Sequence, residues 1–332
     1  MSEKPIAAFF GNPKWIESVY GMGRMETVAG MTNLCPEIIL PENFDRNIDF
    51  LRKVEVVFTT WFLEPMKAEI LYQLPALKAV FYAAGSVRHF AAPLLDRDIL
   101  VVSGWQANAV PVAEFAQAQI ILAAKGYFHN VRDIRAGVYF HDCFRGKGNF
   151  GEQIALLGAG AIGQKVIELL HPFNLRVMVF DPFLAPEKAA ELGVRRVSLE
   201  EAFSKAYVIS NHIADLPETR GMIHRRLFES MRSNATFINT GRGYTVDEEG
   251  MAEVLKLRPD LTALLDVTQV EPPPEDSPLR LLPNAQLSTH IAGANNDEFI
   301  RLADYCIEEF RAWRDGEPLR YAVSKAMLET MA

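Results

Sequence analysis

Three polar segments in the second half of the chain carry side chains able to do acid–base work on a small anion. They are INTGRGYTVDEE with Arg242, DVTQVEPPPEDSPL with Glu271, and STHIAGA with His290. A guanidinium holds a carboxylate through two parallel hydrogen bonds and polarises a carbonyl beside it. An imidazole gives or takes a proton near neutral pH, and a carboxylate paired with it favours the protonated form. Together they are sufficient for reducing a 2-oxo acid with a hydride from a nicotinamide. Each also has an ordinary structural reading: Arg242 as a surface cation, Glu271 as a solvated loop acid, His290 as a satisfied strand-end histidine. Spacing alone does not choose between the two.

What must position them is indicated by residues 154–181, IALLGAGAIGQKVIELLHPFNLRVMVFD. An apolar run leads into Gly158, Ala159, Gly160, Ala161, Ile162 and Gly163, a helical pattern follows, and a second β-rich run ends on Asp181. Gly158 permits a tight turn off a strand, Gly160 lets backbone approach a pyrophosphate, and Gly163 lets helix pack close to strand. The N–H groups and dipole at the start of the helix favour phosphate charge. Asp181 is placed to accept hydrogen bonds from both ribose hydroxyls and to repel a 2′-phosphate. No Arg follows at 182–184, and the first basic residue is Lys188, so the expected cofactor is NAD and not NADP. A methyltransferase, which also uses a glycine-rich loop and a ribose-binding carboxylate, is the main competitor.

At 332 residues the chain exceeds the usual single-domain size, and 49% apolar residues suffice for two cores. A net charge of −8 argues against nucleic acid as a partner. Neither a membrane-length apolar span nor a charged-then-apolar leading segment is seen, so no membrane partner is expected. Cys35, Cys143 and Cys306 are widely spaced without a CxxC, which suits a reducing cytoplasm. Ahead of the glycine turn the pattern alternates as in an α/β protein, from IAAFF through a patterned segment to EIIL and a helix-like stretch. VEVVFTTW then reads as strand, MKAEILYQL as helix, and LKAVFYA and ILVVSG as strands. The GMGR around Gly21 and Gly23 lacks a third glycine and a leading strand, and reads as a loop. From Asn108 a long helix suits a buried connector between domains. Residues 126–153 read as an irregular arm or interface loop. His141, Asp142 and Cys143, with His129 nearby, are not taken as metal ligands, because adjacent loop residues rarely converge on one ion. Beyond Asp181, EKAAELGV and HRRLFESM read as helices, and YVISNHIA, TFINTGRG, LTALLDVTQ and AQLSTHIAG as strands running into loops. A helix runs from Asp297 to Gly316, and Pro272–Pro274 form a stiff loop.

The three polar loops and the glycine turn resemble the D-isomer-specific 2-hydroxyacid dehydrogenase family, which includes phosphoglycerate dehydrogenase and glyoxylate/hydroxypyruvate reductases. The likeness covers most of the chain from about residue 55 onward. NTGRGYTVDEE resembles the family's N-x-x-RG-x-x-VDE segment and implies Arg242 as the substrate-carboxylate residue. LDVTQVEPPP resembles its DV-x-x-x-EP loop, implying Glu271 as partner of the catalytic histidine and Asp266 as a nicotinamide amide contact. THIAG resembles the HIAG signature and implies His290 as acid/base. ANAVPVAEFAQAQIIL is similar to the family's interdomain helix. LPALKAVFYAAGSVRHF resembles its substrate loop, implying that backbone near Ser86 and Val87 meets the substrate carboxylate. HIADLPETRGMI resembles the loop beside the adenosine end of the cofactor, implicating His212 and Thr219; Ala161, Ile162 and Thr240 complete the expected cofactor set. The chain departs from the pattern at Ser86-Val87-Arg88, where Gly-Val-Asp is usual. It also has Ala214-Asp215 in place of the common proline, Gln269 for a frequent Glu, and Thr289 for the proline before the histidine. The Glu–His combination argues against a formate dehydrogenase, whose relatives use Gln there.

The expected fold is therefore α/β with two Rossmann-like domains. An NAD-binding domain (residues 104–295) is expected as an insertion in a discontinuous flavodoxin-like substrate domain (1–103 and 296–332), with the ligand cleft between them. The resemblance implies a homodimer, a D-2-hydroxy acid or its 2-oxo acid as substrate, and hydride transfer with His290 as acid/base. Rival readings are a cofactor-sensing corepressor of the same family and another Rossmann enzyme such as a methyltransferase.

Overall fold

The computed structural model describes residues 4–61, 68–139 and 146–329. The chain divides into two compact units, Met1–Asn108 with Ala294–Ala332, and Ala109–Gly293. Each is built on its own parallel sheet.

Among the described residues the first unit has β1 (Ile6–Phe10), β2 (Asn33–Leu34), β3 (Val56–Thr59), β4 (Ala79–Tyr82) and β5 (Leu100–Ser103). They lie in the order β2-β1-β3-β4-β5, all parallel, which is the flavodoxin-like winding. Successive side chains point to opposite faces, and both faces are covered. Ala7, Phe9, Val56, Phe58, Ala79 and Phe81 pack on one side; Ala8, Phe10, Val57, Val80 and Tyr82 pack on the other. Phe310, from the helix Phe299–Asp315, closes an aromatic stack over Phe58 and Phe81 with ring centroids 5.2 and 5.6 Å away. All four tryptophans of the chain, Trp15, Trp61, Trp105 and Trp313, belong to this unit.

The second unit has β6 (Phe150–Leu157), β7 (Asn174–Phe180), β8 (Arg195–Arg196), β9 (Val208–Asn211), β10 (Thr236–Asn239), β11 (Thr262–Leu265) and β12 (Ala285–Leu287). Their order is β12-β11-β10-β9-β6-β7-β8, all parallel. The winding reverses between β6 and β9, the place where open α/β sheets bind ligands. Ala155, Leu157, Ile209, Phe237 and Leu265 enter one core. Ile154, Leu156, Val208, Ile238 and Leu264 enter the other, against Ala113, Ala116 and Ile120 of the helix Trp105–Ala124. Burial on both faces is why these strands read as unbroken apolar runs.

Several expectations about elements need correction. EIIL is not a strand: Ile39 alone bridges to Phe10, because Pro36 and Pro41 flank it and lack the N–H a ladder needs. The strand in that region is the pair Asn33–Leu34. Residues 126–153 are not uniformly irregular, since Tyr127–Arg135 is a helix. Its inward face is polar: His129 Nε2 lies 2.8 Å from Asp260 O, and Arg132 Nη1 donates to Thr262 Oγ1 at 2.8 Å. GMGR joins two helices, Pro13–Tyr20 and Arg24–Met31. The helices Leu199–Lys205 and Glu248–Leu257 add to the expected set; the first is capped by Ser198 and the second by Asp247. His141, Asp142 and Cys143 lie outside the described residues. Cys35 and Cys306 are buried free thiols. No helix among the described residues is long and apolar enough to cross a membrane.

Candidate active site

The glycine turn is shaped by two close approaches and one open space. Gly158 follows β6 with φ +96°, and a Cβ there would lie 3.1 Å from His212 O. A Cβ on Gly163 would fall 2.1 Å from Gly158 O, so helix Ala161–Leu170 sits against the turn as only glycine allows. At Gly160, by contrast, nothing lies within 4 Å of that direction. The first internal hydrogen bond of the helix runs from Gln164 N to Gly160 O at 2.9 Å. The amides of Ala161, Ile162 and Gly163 thus precede it and serve an anion. Asp181, just past β7, ties the turn together: Oδ2 accepts from Ala159 N at 2.7 Å and Oδ1 from Phe183 N at 2.8 Å. An open approach at Gly160, a row of amides and a carboxylate beside them fit a dinucleotide.

His212 follows β9. Its Nε2 is 3.0 Å from Ser210 Oγ and its Nδ1 3.2 Å from Thr240 Oγ1. Burial pushes its pKa down to about 4, so it is a neutral imidazole flanked by two hydroxyls able to give or take the one ring proton. Thr219 works within its own loop, accepting from Leu216 N at 2.9 Å and donating to Ala214 O at 2.6 Å.

The Arg242 turn rests on side chains that motif reading passes over. Asn211 and Asn239 are register partners on β9 and β10. Asn211 Nδ2 donates to Asn239 Oδ1 at 3.0 Å and to Thr245 Oγ1 at 2.9 Å. Thr245 Oγ1 in turn donates to Arg242 O at 2.7 Å, and Asn239 Oδ1 accepts from Gly241 N at 3.1 Å. All three are buried, and the sequence signal for the two asparagines is a polar residue at the end of each of two apolar strands. The Arg242 side chain donates to Gly241 O at 2.8 Å. Burial lowers its pKa, while the nearby Glu271 and Asp215 charges raise it; a guanidinium stays charged throughout.

Glu271 and His290 meet. Nδ1 of His290 lies 2.8 Å from Glu271 Oε2, with the side chains 49% and 39% exposed. The histidine is held by its backbone, at φ +56°, with its N–H donating to Asp266 O at 3.0 Å. Asp266 is buried, and its carboxylate is engaged by this same loop. Oδ1 accepts from Ser288 Oγ at 2.6 Å and Ile291 N at 2.9 Å, and Oδ2 accepts from Ala292 N at 2.9 Å. Ser86 and Val87 belong to the first unit, in the loop after β4. There Thr60 Oγ1 donates to Ala83 O at 2.8 Å, Val87 is buried and Arg88 exposed. Among the described residues no group of three or more His, Cys, Asp or Glu side chains is arranged to hold a metal ion.

A parallel sheet wound outward from β6, with this turn at its reversal point, defines a dinucleotide-binding Rossmann protein. Comparison with known proteins carries the assignment further. Residues 117–292 match the family profile "D-isomer specific 2-hydroxyacid dehydrogenase, NAD binding domain". The chain is 30% identical over 234 residues to a D-3-phosphoglycerate dehydrogenase of Archaeoglobus fulgidus, covering 70% of this chain and 44% of that one. It is 30% identical to a glyoxylate reductase of Korarchaeum cryptofilum, covering 76% and 78%. A phosphoglycerate oxidoreductase from Rhizobium etli superposes with a TM-score of 0.80 at 24% identity over 98% and 99% of the two chains. The chain spans about half the length of the phosphoglycerate dehydrogenases it matches. It belongs to the D-isomer-specific 2-hydroxyacid dehydrogenase family, and its cofactor is NAD.

Proposed function

We propose that the protein interconverts a D-2-hydroxy acid and its 2-oxo acid. The observation that carries this reading is the 2.8 Å pair of His290 Nδ1 and Glu271 Oε2, with the Arg242 cation close enough for the Glu271 charge to act on it. NAD, when bound, supplies or takes the hydride. Arg242 holds the substrate carboxylate through its fork of donors. With Nδ1–H committed to Glu271, His290 presents Nε2–H to the substrate oxygen, giving its proton in reduction and taking one back in oxidation. Glu271 fixes the ring and its tautomer. Asp266 holds the loop from which His290 projects. Ser86 and Val87 add backbone contacts to the substrate carboxylate. Asp181, His212, Thr219 and Thr240 serve the cofactor, with Asp181 selecting NADH over NADPH.

We read the unit Ala109–Gly293 as the cofactor domain and Met1–Asn108 with Ala294–Ala332 as the substrate domain, a few residues inside the expected 104–295 boundary, in a cytoplasmic homodimer. The test is NADH oxidation across a panel of 2-oxo acids, repeated with NADPH. Turnover with NADH is expected, and a clear NADPH preference would remove Asp181 as the selector. His290→Ala should lower kcat by about 10²–10⁴-fold. A half-exposed ion pair adds no more than about 1 kcal/mol to stability, so this loss should come without unfolding. Unchanged kcat in that variant would take the proton-donor role from His290.

A further inference from the structure

The segment bearing Glu271 is gripped from a side that the pair itself does not require. Glu248 stands in the first turn of the helix Glu248–Leu257, and its Oε1 accepts from Gln269 N at 2.6 Å. One residue earlier, Thr268 N donates to Glu271 Oε1 at 3.3 Å. Consecutive amides are thus taken by two different carboxylates, and the second of these holds His290. The Gln269 side chain is tied to the same neighbour, its Nε2 donating to Val246 O at 2.6 Å. Gly243 closes the joint: a Cβ there would lie 2.1 Å from Thr268 C. The Arg242 segment and the Glu271 segment therefore touch backbone to backbone, and neither shifts without the other.

We propose that Glu248 is a positioning residue for the Glu271–His290 pair, fixing the backbone from which Glu271 reaches the imidazole. The proposal rests on the role given above to His290. The charges facing this cluster are Glu271 itself, Arg242 from the segment after β10, and Asp215 from the segment after β9. Burial, together with the Glu271 charge, pushes the Glu248 carboxyl above the usual carboxylate range against the Gln269 hydrogen bond.

Two variants of the full chain separate placement from charge. E248Q keeps a side-chain oxygen for Gln269 N and loses the charge; E248A loses both. The His290 Nδ1–H resonance, set by its bond to Glu271, is followed by NMR without cofactor, beside kcat and KM for 2-oxo acid reduction. In E248Q that resonance and kcat should both stay close to those of the unsubstituted protein. E248A should weaken that resonance and lower kcat with KM little changed, since Gln269 N–H has no side-chain acceptor and Glu271 is no longer fixed. A lower Tm with the Nδ1–H resonance and kcat unmoved in both variants would overturn the proposal, leaving Glu248 a merely structural acid. Absence of any 2-oxo acid turnover in the unsubstituted protein would defeat the assigned reaction, while the Nδ1–H resonance would still decide on Glu248.

Discussion

Two histidines of the second unit sit in opposite surroundings. His290 is half exposed and paired with a carboxylate. His212 is half-buried between hydroxyls, with a pKa pushed down to about 4. The unfolded chain protonates this imidazole below its ordinary 6.5, whereas the folded chain resists until about 4. The contribution of His212 is fully present above pH 6.5 and is lost as pH falls to 4, worth on the order of 3 kcal/mol. His212→Asn should therefore flatten the fall of Tm between these two pH values, and parallel Tm curves for variant and parent would sink the argument. Arg242, Glu271 and His290 were legible because their types and flanking motifs are local. Asn211, Asn239 and Thr245 were not, because their bonds exist only once β9 and β10 are in register.

At the scale of elements the glycine turn makes two substitutions diverge. Gly160→Ala meets nothing within 4 Å and needs no unusual φ, so stability should change by less than about 1 kcal/mol. The methyl would occupy the pyrophosphate's approach, and NADH affinity should fall. Gly163→Ala forces a methyl into Gly158 O, with an expected cost of about 1–3 kcal/mol or more. Thermal melts beside NADH fluorescence titrations check both, and equal stability losses would mean that the open direction at Gly160 is misjudged. Strands were easy to read because both faces are buried. Helices with polar inward faces were not: in Tyr127–Arg135 the bonds of His129 and Arg132 stand where apolar residues would have shown the period. The helix Glu248–Leu257 hid its start in the acidic run VDEE, where Asp247 accepts from Gly250 N at 2.9 Å.

At the scale of the whole molecule each unit carries apolar clusters on both faces of its own sheet, so each has the core of a folding unit. NADH at about a hundred times its Kd adds about 2.7 kcal/mol to the state that binds it. With every tryptophan in the first unit, tryptophan emission follows that unit, whereas far-UV circular dichroism follows both. Saturating NADH should raise the dichroism-monitored transition more than the emission-monitored one. Coincident shifts would show that the two cores melt together.

Asp181 has a consequence for anyone redesigning cofactor choice. The carboxylate assigned to the ribose also fastens the turn, one oxygen holding Ala159 N and the other Phe183 N. Serine offers a single oxygen, and asparagine replaces the second acceptor with a donor. No uncharged side chain of similar size restores both bonds, so admitting a 2′-phosphate here is a loop-rebuilding problem, not a point change.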